Sequence, residues 1–212
     1  MLTAIMLDKF NPFGNEVRFL NITISTATNT RFNLKGKSLT KKILRFTGLP
    51  HFGARLRAFY LNKLLNSLDA PQSILDAGCG IGLNSFLAAR KGFRVTGVDN
   101  DKEKIMIAEK MLSLTKYPNA GFVYGDVTKM EFKDESFSSI ICFEVLEHID
   151  EDKKALSEIS RVLKRNGTLL LSTPGISFIS RVNQKAKHHV REGYSLEEMS
   201  EKLHDVGLEI TR

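Results

Sequence analysis

From Ser73 onward the chain alternates short apolar runs with amphipathic stretches. SILDA (73–77), FRVTGV (93–98), residues 121–124, SSIICF (138–143) and TLLLST (168–173) are the runs. Each is short, apolar and rich in β-branched or aromatic residues, which predicts a buried strand. Between them the spacing predicts helices over 82–91, 101–115, 151–164 and 195–206. Pro118, Asn166-Gly167 and Asp205-Val206-Gly207 supply the stop signals. LEITR (208–212) opens one more strand. Continuously apolar strands joined by helices indicate an α/β fold, a doubly wound and mostly parallel sheet flanked by helices.

Before Ser73 the pattern is weaker. Residues 53–68 read as a helix with Leu56, Phe59, Tyr60, Leu64, Leu65 and Leu68 near one face, ended by Pro71. Gly48-Leu49-Pro50 breaks the chain ahead of it. Residues 35–48 are basic and weakly amphipathic, and EVRFLNITIS (16–25) has the partial alternation of a strand. The expected division is an N-terminal basic extension over 1–52 and the α/β domain over 53–212.

Charge sharpens that division. The 212 residues carry a net charge of +7. Residues 1–72 hold 11 Lys/Arg against 3 Asp/Glu, and residues 73–212 hold 20 against 21. All the excess positive charge lies in the first third, where it suits an anionic acceptor, peripheral docking of KKILRF on a membrane surface, or a plain solvated face. No RNA-binding motif accompanies the short basic run, so nucleic acid is not the expected partner. Hydrophobic residues at 42% argue against a disordered chain. Two cysteines, Cys79 and Cys142, make no disulfide framework, so a reducing, cytoplasmic setting is expected. No window approaches the ~20 apolar residues of a membrane span.

The chemistry concentrates in Asp76-Ala-Gly78-Cys-Gly80-Ile-Gly82, between the first strand and its helix. Glycine permits positive φ and close approach of a ligand to the backbone, and in open α/β sheets this turn borders the ligand crevice. The dinucleotide fingerprint is G-x-G-x-x-G, but here Leu83 stands at its third glycine. Asp76 would repel a pyrophosphate and attract an ammonium group. Asp99 closes the second strand, where a carboxylate can accept both hydroxyls of a ribose, and Asp126 follows the third strand, where it can meet an adenine amino group. Amine, diol and adenine are the parts of S-adenosylmethionine.

The segments ILDAGCGIGLNSFLAARKGFRVTGVDND, GDVTKMEFKDESFSSIICFEVLEHI and LKRNGTLLLSTP, in this order and spacing, resemble the class I S-adenosylmethionine-dependent methyltransferases, of the type 11-like group. The resemblance covers about residues 55–212 and implies a Rossmann-like fold with S-adenosyl-L-methionine as cofactor. It implies that Asp76, Gly78, Gly80 and Gly82 flank the methionine part, that Asp99 binds the ribose with Asn100 beside the adenine, and that Asp126 and Val127 bind the adenine edge. Phe143 and Glu144 are then expected where the fourth strand opens onto the cofactor. Such proteins usually finish with two further strands in antiparallel pairing. Here the chain stops as the first begins, so an incomplete C-terminal strand pair or a shortened chain is expected.

Glu144, Glu147 and His148 form E-x-x-E-H. In a helical turn these positions share a face, where two carboxylates and an imidazole could hold a divalent cation. Alternatively His148 serves as a general base on a substrate hydroxyl, or the stretch is a common fold element. It is similar to that of quinone-biosynthesis O-methyltransferases and of small-RNA 2′-O-methyltransferases; the latter implies a later metal ligand, with His189 the better positional match than His188. Residues 1–70 and 175–194 are the expected acceptor side, rich in Phe, Arg and Lys. They include Phe59, Tyr60, Phe178 and Tyr194 as apolar area and Arg55, Arg57, Arg181 and Lys185 as charge. The expected activity is O-methylation of a small, lipophilic or anionic acceptor. The alternatives are a cofactor-binding, non-catalytic homologue and an NAD(P)-dependent oxidoreductase. Oligomeric state is not legible.

Overall fold

A computed structural model describes residues 2–6 and 52–210, apart from 69, 116, 176–189 and 192. In chain order the elements are β1 (Leu2–Met6), α1 (Phe52–Ser67), β2 (Ser73–Ala77), α2 (Leu83–Arg90), β3 (Arg94–Asp99), α3 (Lys102–Ser113), β4 (Ala120–Tyr124) and β5 (Phe137–Phe143). A 3₁₀ turn (Leu146–His148), α4 (Asp152–Val162), β6 (Leu163–Ser172), α5 (Leu196–Asp205) and β7 (Leu208–Ile210) complete them. The strands form one sheet in the order β4-β3-β2-β5-β6-β1-β7, and every pair of neighbours runs parallel.

The strands are continuously apolar because both faces are covered. Successive residues of β5 and β6 point into opposite layers. Ile140, Cys142, Leu169 and Leu171 pack with α4 and α5 through Leu156, Ile159, Met199 and Leu203. Ile141, Phe143 and Leu170 pack with α1 and α2 through Leu61, Leu65, Ala88 and Ala89. A third cluster of Cys79, Ile105, Ala108 and Phe122 seats α3 beside β4.

Two boundaries differ from the expected ones. Helix α4 stops at Val162, and the strand begins at once with Leu163 opposite Phe137, the register resuming at Ser139 opposite Thr168. Asn166 takes φ +57 within that excursion, so Asn166-Gly167 marks an irregularity in the strand rather than the end of the helix. The edge strand expected from LEITR forms as β7, and its partner is β1, which pairs in parallel with β6 on its other side. Leu2–Met6 therefore lies within the sheet, although it falls in the segment read as an extension. The strand candidate at 16–25 and the basic stretch 35–48 lie outside the described residues.

The sheet fixes where a ligand can enter. From β2 the chain winds outward through β3 and β4, then returns to the other side of β2 with β5 and β6. The reversal point is the β2–β5 pair, and the crevice beyond their carboxyl ends is the expected binding position.

Candidate functional site

The glycine loop leaves β2 through three left-handed residues, Gly78 (φ +72), Gly80 (φ +55) and Gly82 (φ +84). Such angles burden any residue bearing a Cβ. The N–H groups of Gly78 and Cys79 both donate to the Val98 carbonyl at 2.8 and 2.9 Å, tying the loop to β3. A methyl on Gly78 would overlap Val145, and one on Gly82 would meet Phe122 Cζ at 2.5 Å. A methyl on Gly80 would meet nothing within 4 Å among the described residues. Gly78 and Gly82 are thus needed for packing, whereas Gly80 leaves an open cradle. Gly82 caps α2 without any side-chain hydrogen bond to its first turn, so the helix dipole meets the loop with no capping side chain of its own.

Asp99 stands beside that cradle. Its Oδ2 accepts from Gly80 N at 2.7 Å and its Oδ1 from Asp101 N at 3.0 Å. A carboxylate has about four lone-pair sites, so each oxygen retains acceptor capacity. Asn100, next in the chain, is exposed. Across the following strand end, Asp126 is exposed, with Oδ1 taking hydrogen bonds from Thr128 N and Oγ1, both at 2.8 Å. Val127 turns inward and packs in the core with Val98 and Met130, so only its backbone is offered to a ligand.

Asp76 is not at the surface of the crevice. It is 1% exposed and accepts from Ser85 Oγ at 2.6 Å. Burial pushes its carboxyl up to about 6, against the moderating hydrogen bonds from Ser85. Its influence on a bound ammonium group would pass through the loop rather than through an exposed oxygen. Ser85 escaped the sequence reading; its only signal there is a hydroxyl near the start of a helix, between Asn84 and Phe86.

The far side of the crevice is the turn after β5. Phe143 is buried against α1 and α2. Glu144 adopts φ +56, accepts from Ser172 Oγ at 2.8 Å and lies 3.3 Å from Arg57 Nη1. The left-handed residue and the short 3₁₀ turn replace the expected α-helical turn. In consequence Glu144, Glu147 and His148 do not share a face: Glu147 is fully buried and His148 exposed. Burial, then the nearby Glu144, raises the Glu147 carboxyl to about 8, although Thr173 Oγ1 donates to its Oε2 at 3.2 Å. Its Oε1 is buried with no hydrogen-bond partner among the described residues. Among the described residues no group of three or more His, Cys, Asp or Glu side chains is arranged to hold a metal ion. His189, Phe178, Arg181 and Lys185 lie outside the described residues.

Two residues expected on the acceptor side make polar contacts within the protein. Arg57 faces Glu144, and Tyr194 is 3% exposed, inside a polar network around Asp152. Phe59, by contrast, is 57% exposed. No helix among the described residues is long and apolar enough to cross a membrane.

The sequence model of one protein family, described as a methyltransferase domain, matches residues 68–207. The chain belongs to that methyltransferase domain family. It is 31% identical over 143 residues to a Mycolicibacterium smegmatis protein named as a probable S-adenosylmethionine-dependent methyltransferase; the match takes in 66% of this chain and 53% of that one. It is 34% identical over 113 residues to the mitochondrial ubiquinone biosynthesis O-methyltransferase of Schizosaccharomyces pombe, with 52% of this chain and 41% of that one aligned. The methyltransferase domain thus spans about half the length of these curated relatives. Among solved structures, the YcgJ protein of Bacillus subtilis superposes with a TM-score of 0.62 at 26% identity, covering 69% of this chain and 66% of that one.

Proposed function

We propose that this methyltransferase domain binds S-adenosyl-L-methionine in the crevice between the glycine loop and the Glu144–His148 turn, and methylates a small acceptor there. The observation that carries the reading is the pairing of an open cradle at Gly80 with the Asp99 carboxylate, 2.7 Å from the Gly80 N–H. The fit is of backbone and carboxylate to amine and hydroxyl groups. The glycine spacing and the acidic residues at three strand ends favour S-adenosylmethionine over a dinucleotide.

In this reading Gly78, Gly80 and Gly82 carry the methionine part, with Asp76 acting from beneath. The spare acceptor capacity of Asp99 takes the ribose hydroxyls, Asn100 and Asp126 border the adenine, and the Val127 backbone meets its edge. When bound, the cofactor supplies a methyl group already activated on a sulfonium. What remains for the protein is to hold the acceptor close and aligned, which accounts for much of the acceleration available to such a site. His148, exposed in the turn after β5, would take a proton from a hydroxyl acceptor, with Phe143 and Glu144 forming part of the wall beside it. Relatives near 30% identity, one of them named as a ubiquinone biosynthesis O-methyltransferase, support O-methylation of a lipophilic acceptor. The division at residue 52, with the basic part of the N-terminal segment on the acceptor side, belongs to the same proposal, with Leu2–Met6 excepted because it pairs within the sheet.

Calorimetric titration of the full chain with S-adenosylmethionine and with NAD(P)H tests the cofactor. Binding of the first and not the second is expected, and the reverse would overturn the reading. Incubation with labelled S-adenosylmethionine and a panel of phenols and carboxylates then tests transfer. Label on a phenolic oxygen is expected; binding without transfer to any acceptor would leave a cofactor-binding homologue. Transfer that stops on chelation and resumes with Mg²⁺, Zn²⁺ or Mn²⁺ would restore a metal role to Glu144, Glu147, His148 and His189.

A further inference from the structure

The turn after β5 has more carbonyls than its single 3₁₀ hydrogen-bonding pattern can use, and a distant part of the chain supplies their donors. Tyr194 Oη donates to the Leu146 carbonyl at 3.1 Å. Val190 N donates to the Glu147 carbonyl at 3.0 Å, with Arg191 N at 3.4 Å from the same oxygen. Arg191 Nη2 donates to the carbonyls of Ile149 and Asp150 at 3.0 and 3.1 Å. Four of the five carbonyls from Leu146 to Asp150 are therefore capped from residues 190–194. Losing these donors would cost most where the carbonyl is buried; the Leu146 carbonyl also accepts from Ile149 N at 3.2 Å.

One carboxylate organises the donors. Asp152, 4% exposed, accepts from Arg191 Nη1 at 2.6 Å and from Tyr194 Oη at 2.9 Å, both at Oδ2. Lys202 Nζ from α5 stands 3.0 Å from the same oxygen and 3.3 Å from Oδ1. The Arg191 and Lys202 cations lie over the Tyr194 ring, 5.2 and 5.9 Å from its centroid. Burial alone would raise the Asp152 carboxyl; the hydrogen bonds from Lys202 and Tyr194 and the charge of Arg191 outweigh it and hold it below the ordinary range. The single Tyr194 hydroxyl proton is shared between the Leu146 carbonyl and Asp152 Oδ2, and Arg191 Nε is buried without a partner among the described residues; the two cations on Asp152 and the fork on Ile149 and Asp150 tie the segments together.

The turn so held delivers Val145 against Gly78, where no room is left even for a methyl group. The geometry points to Tyr194 and Arg191, gathered by Asp152, as positioning residues for the cofactor loop: they set the Leu146–Asp150 turn, the turn sets Val145, and Val145 sets the glycine loop at Gly78. This rests on the cofactor reading above only for its ligand.

The test uses the full chain with Tyr194→Phe, which deletes the hydroxyl between Leu146 and Asp152, and Arg191→Lys, which keeps a cation for Asp152 but loses the fork on Ile149 and Asp150. Amide hydrogen exchange is followed over 145–150 and 78–82, and S-adenosylmethionine affinity is measured on the folded protein. Faster exchange in both segments is expected, together with a dissociation constant raised roughly threefold to tenfold, the range for residues acting through a packed network. A lowered melting temperature with unchanged exchange in 78–82 would overturn the proposal and leave a purely structural network. If the unaltered chain binds no S-adenosylmethionine, the cofactor reading fails, and exchange at 78–82 still decides the positioning role. Should Arg191→Lys fail to fold, Tyr194→Phe alone carries both readouts.

Discussion

On the β2–β3 side of the crevice the residues that build the cofactor loop are held by neighbours close in the chain. Asp76 is tied to Ser85 nine residues on, and Gly80 to Asp99 nineteen residues on. On the β5 side the turn from Leu146 to Asp150 is held by residues 42 and 48 positions away. The first side is a property of one β-α-β unit; the second exists only once the end of the domain has folded back. A local unit can keep its shape while the rest of the molecule breathes, whereas a turn held from afar transmits whatever happens to its donors. Gly78 is where the two sides meet, through Val145.

The largest effect is therefore expected at that contact. Gly78→Ala must place a Cβ at φ +72 and against Val145, and the two penalties together should cost about 3 kcal/mol of stability, read by denaturant unfolding. Gly80→Ala meets no neighbour within 4 Å at φ +55 and should cost only about 1–2 kcal/mol of stability. Its methyl occupies the cradle, so S-adenosylmethionine affinity should fall by more than the stability does. Equal losses of stability in the two variants would mean that the Val145 contact does not join the sides.

Asp76 gives the next largest effect. Its folded value of about 6 lies above the ordinary 3.8, so across that interval the native state keeps a proton that the unfolded chain has released. The stability tied to this group is complete below the unfolded value and is lost as pH rises through the folded one. Asp76→Asn keeps an acceptor for Ser85 and cannot ionise. Relative to the unaltered chain it should gain on the order of 2–3 kcal/mol between pH 4 and pH 7. A stability difference independent of pH would show that the carboxyl is not desolvated. For Asp99→Ala, S-adenosylmethionine binding should weaken by roughly 1–3 kcal/mol, through lost ribose contacts and a loosened Gly80. Unchanged affinity in the folded variant would remove Asp99 from the site.

The asymmetry also explains what could be read from the chain before folding. The strands, the helices between them and the glycine loop follow from period, stop signals and spacing, all local, and apart from the early start of β6 at Leu163 they emerge where expected within a few residues. The ends of β2, β3 and β4 bring Asp76, Asp99 and Asp126 to one edge of the sheet because parallel strands end together. Depth was not legible: Asp76 and Val127 face inward, since pattern alone cannot say which side of a strand end stays covered. The E-x-x-E-H stretch misled more. Its spacing suits a helical face, but a left-handed Glu144 and carbonyls capped from 190–194 bend it into a 3₁₀ turn that buries Glu147 and exposes His148. Tyr194, Arg191 and Lys202 carry no motif, and their importance arises only from meeting Asp152.

Arg161 supplies the smallest effect and the sharpest control. It bridges both Glu158 oxygens at 2.7 and 2.8 Å and Asp134 at 2.7 Å, and donates to the carbonyls of Phe132 and Met130 at 2.8 and 2.9 Å. It thereby pins the connection between β4 and β5, just downstream of Asp126, onto α4. The guanidinium is partly solvated, so its ion pairs count for less than their number suggests. Arg161→Met should cost about 1–2 kcal/mol of stability, mostly through the two carbonyls left without a donor. Asp126, however, is held by Thr128 within its own turn. A near side built locally should not register the loss, and S-adenosylmethionine affinity of the folded variant should stay within about twofold, as for sites that share no partners. A tenfold fall would show that the adenine-facing strand end also depends on a staple from another part of the chain, and the contrast between the two sides of the crevice would then be one of degree.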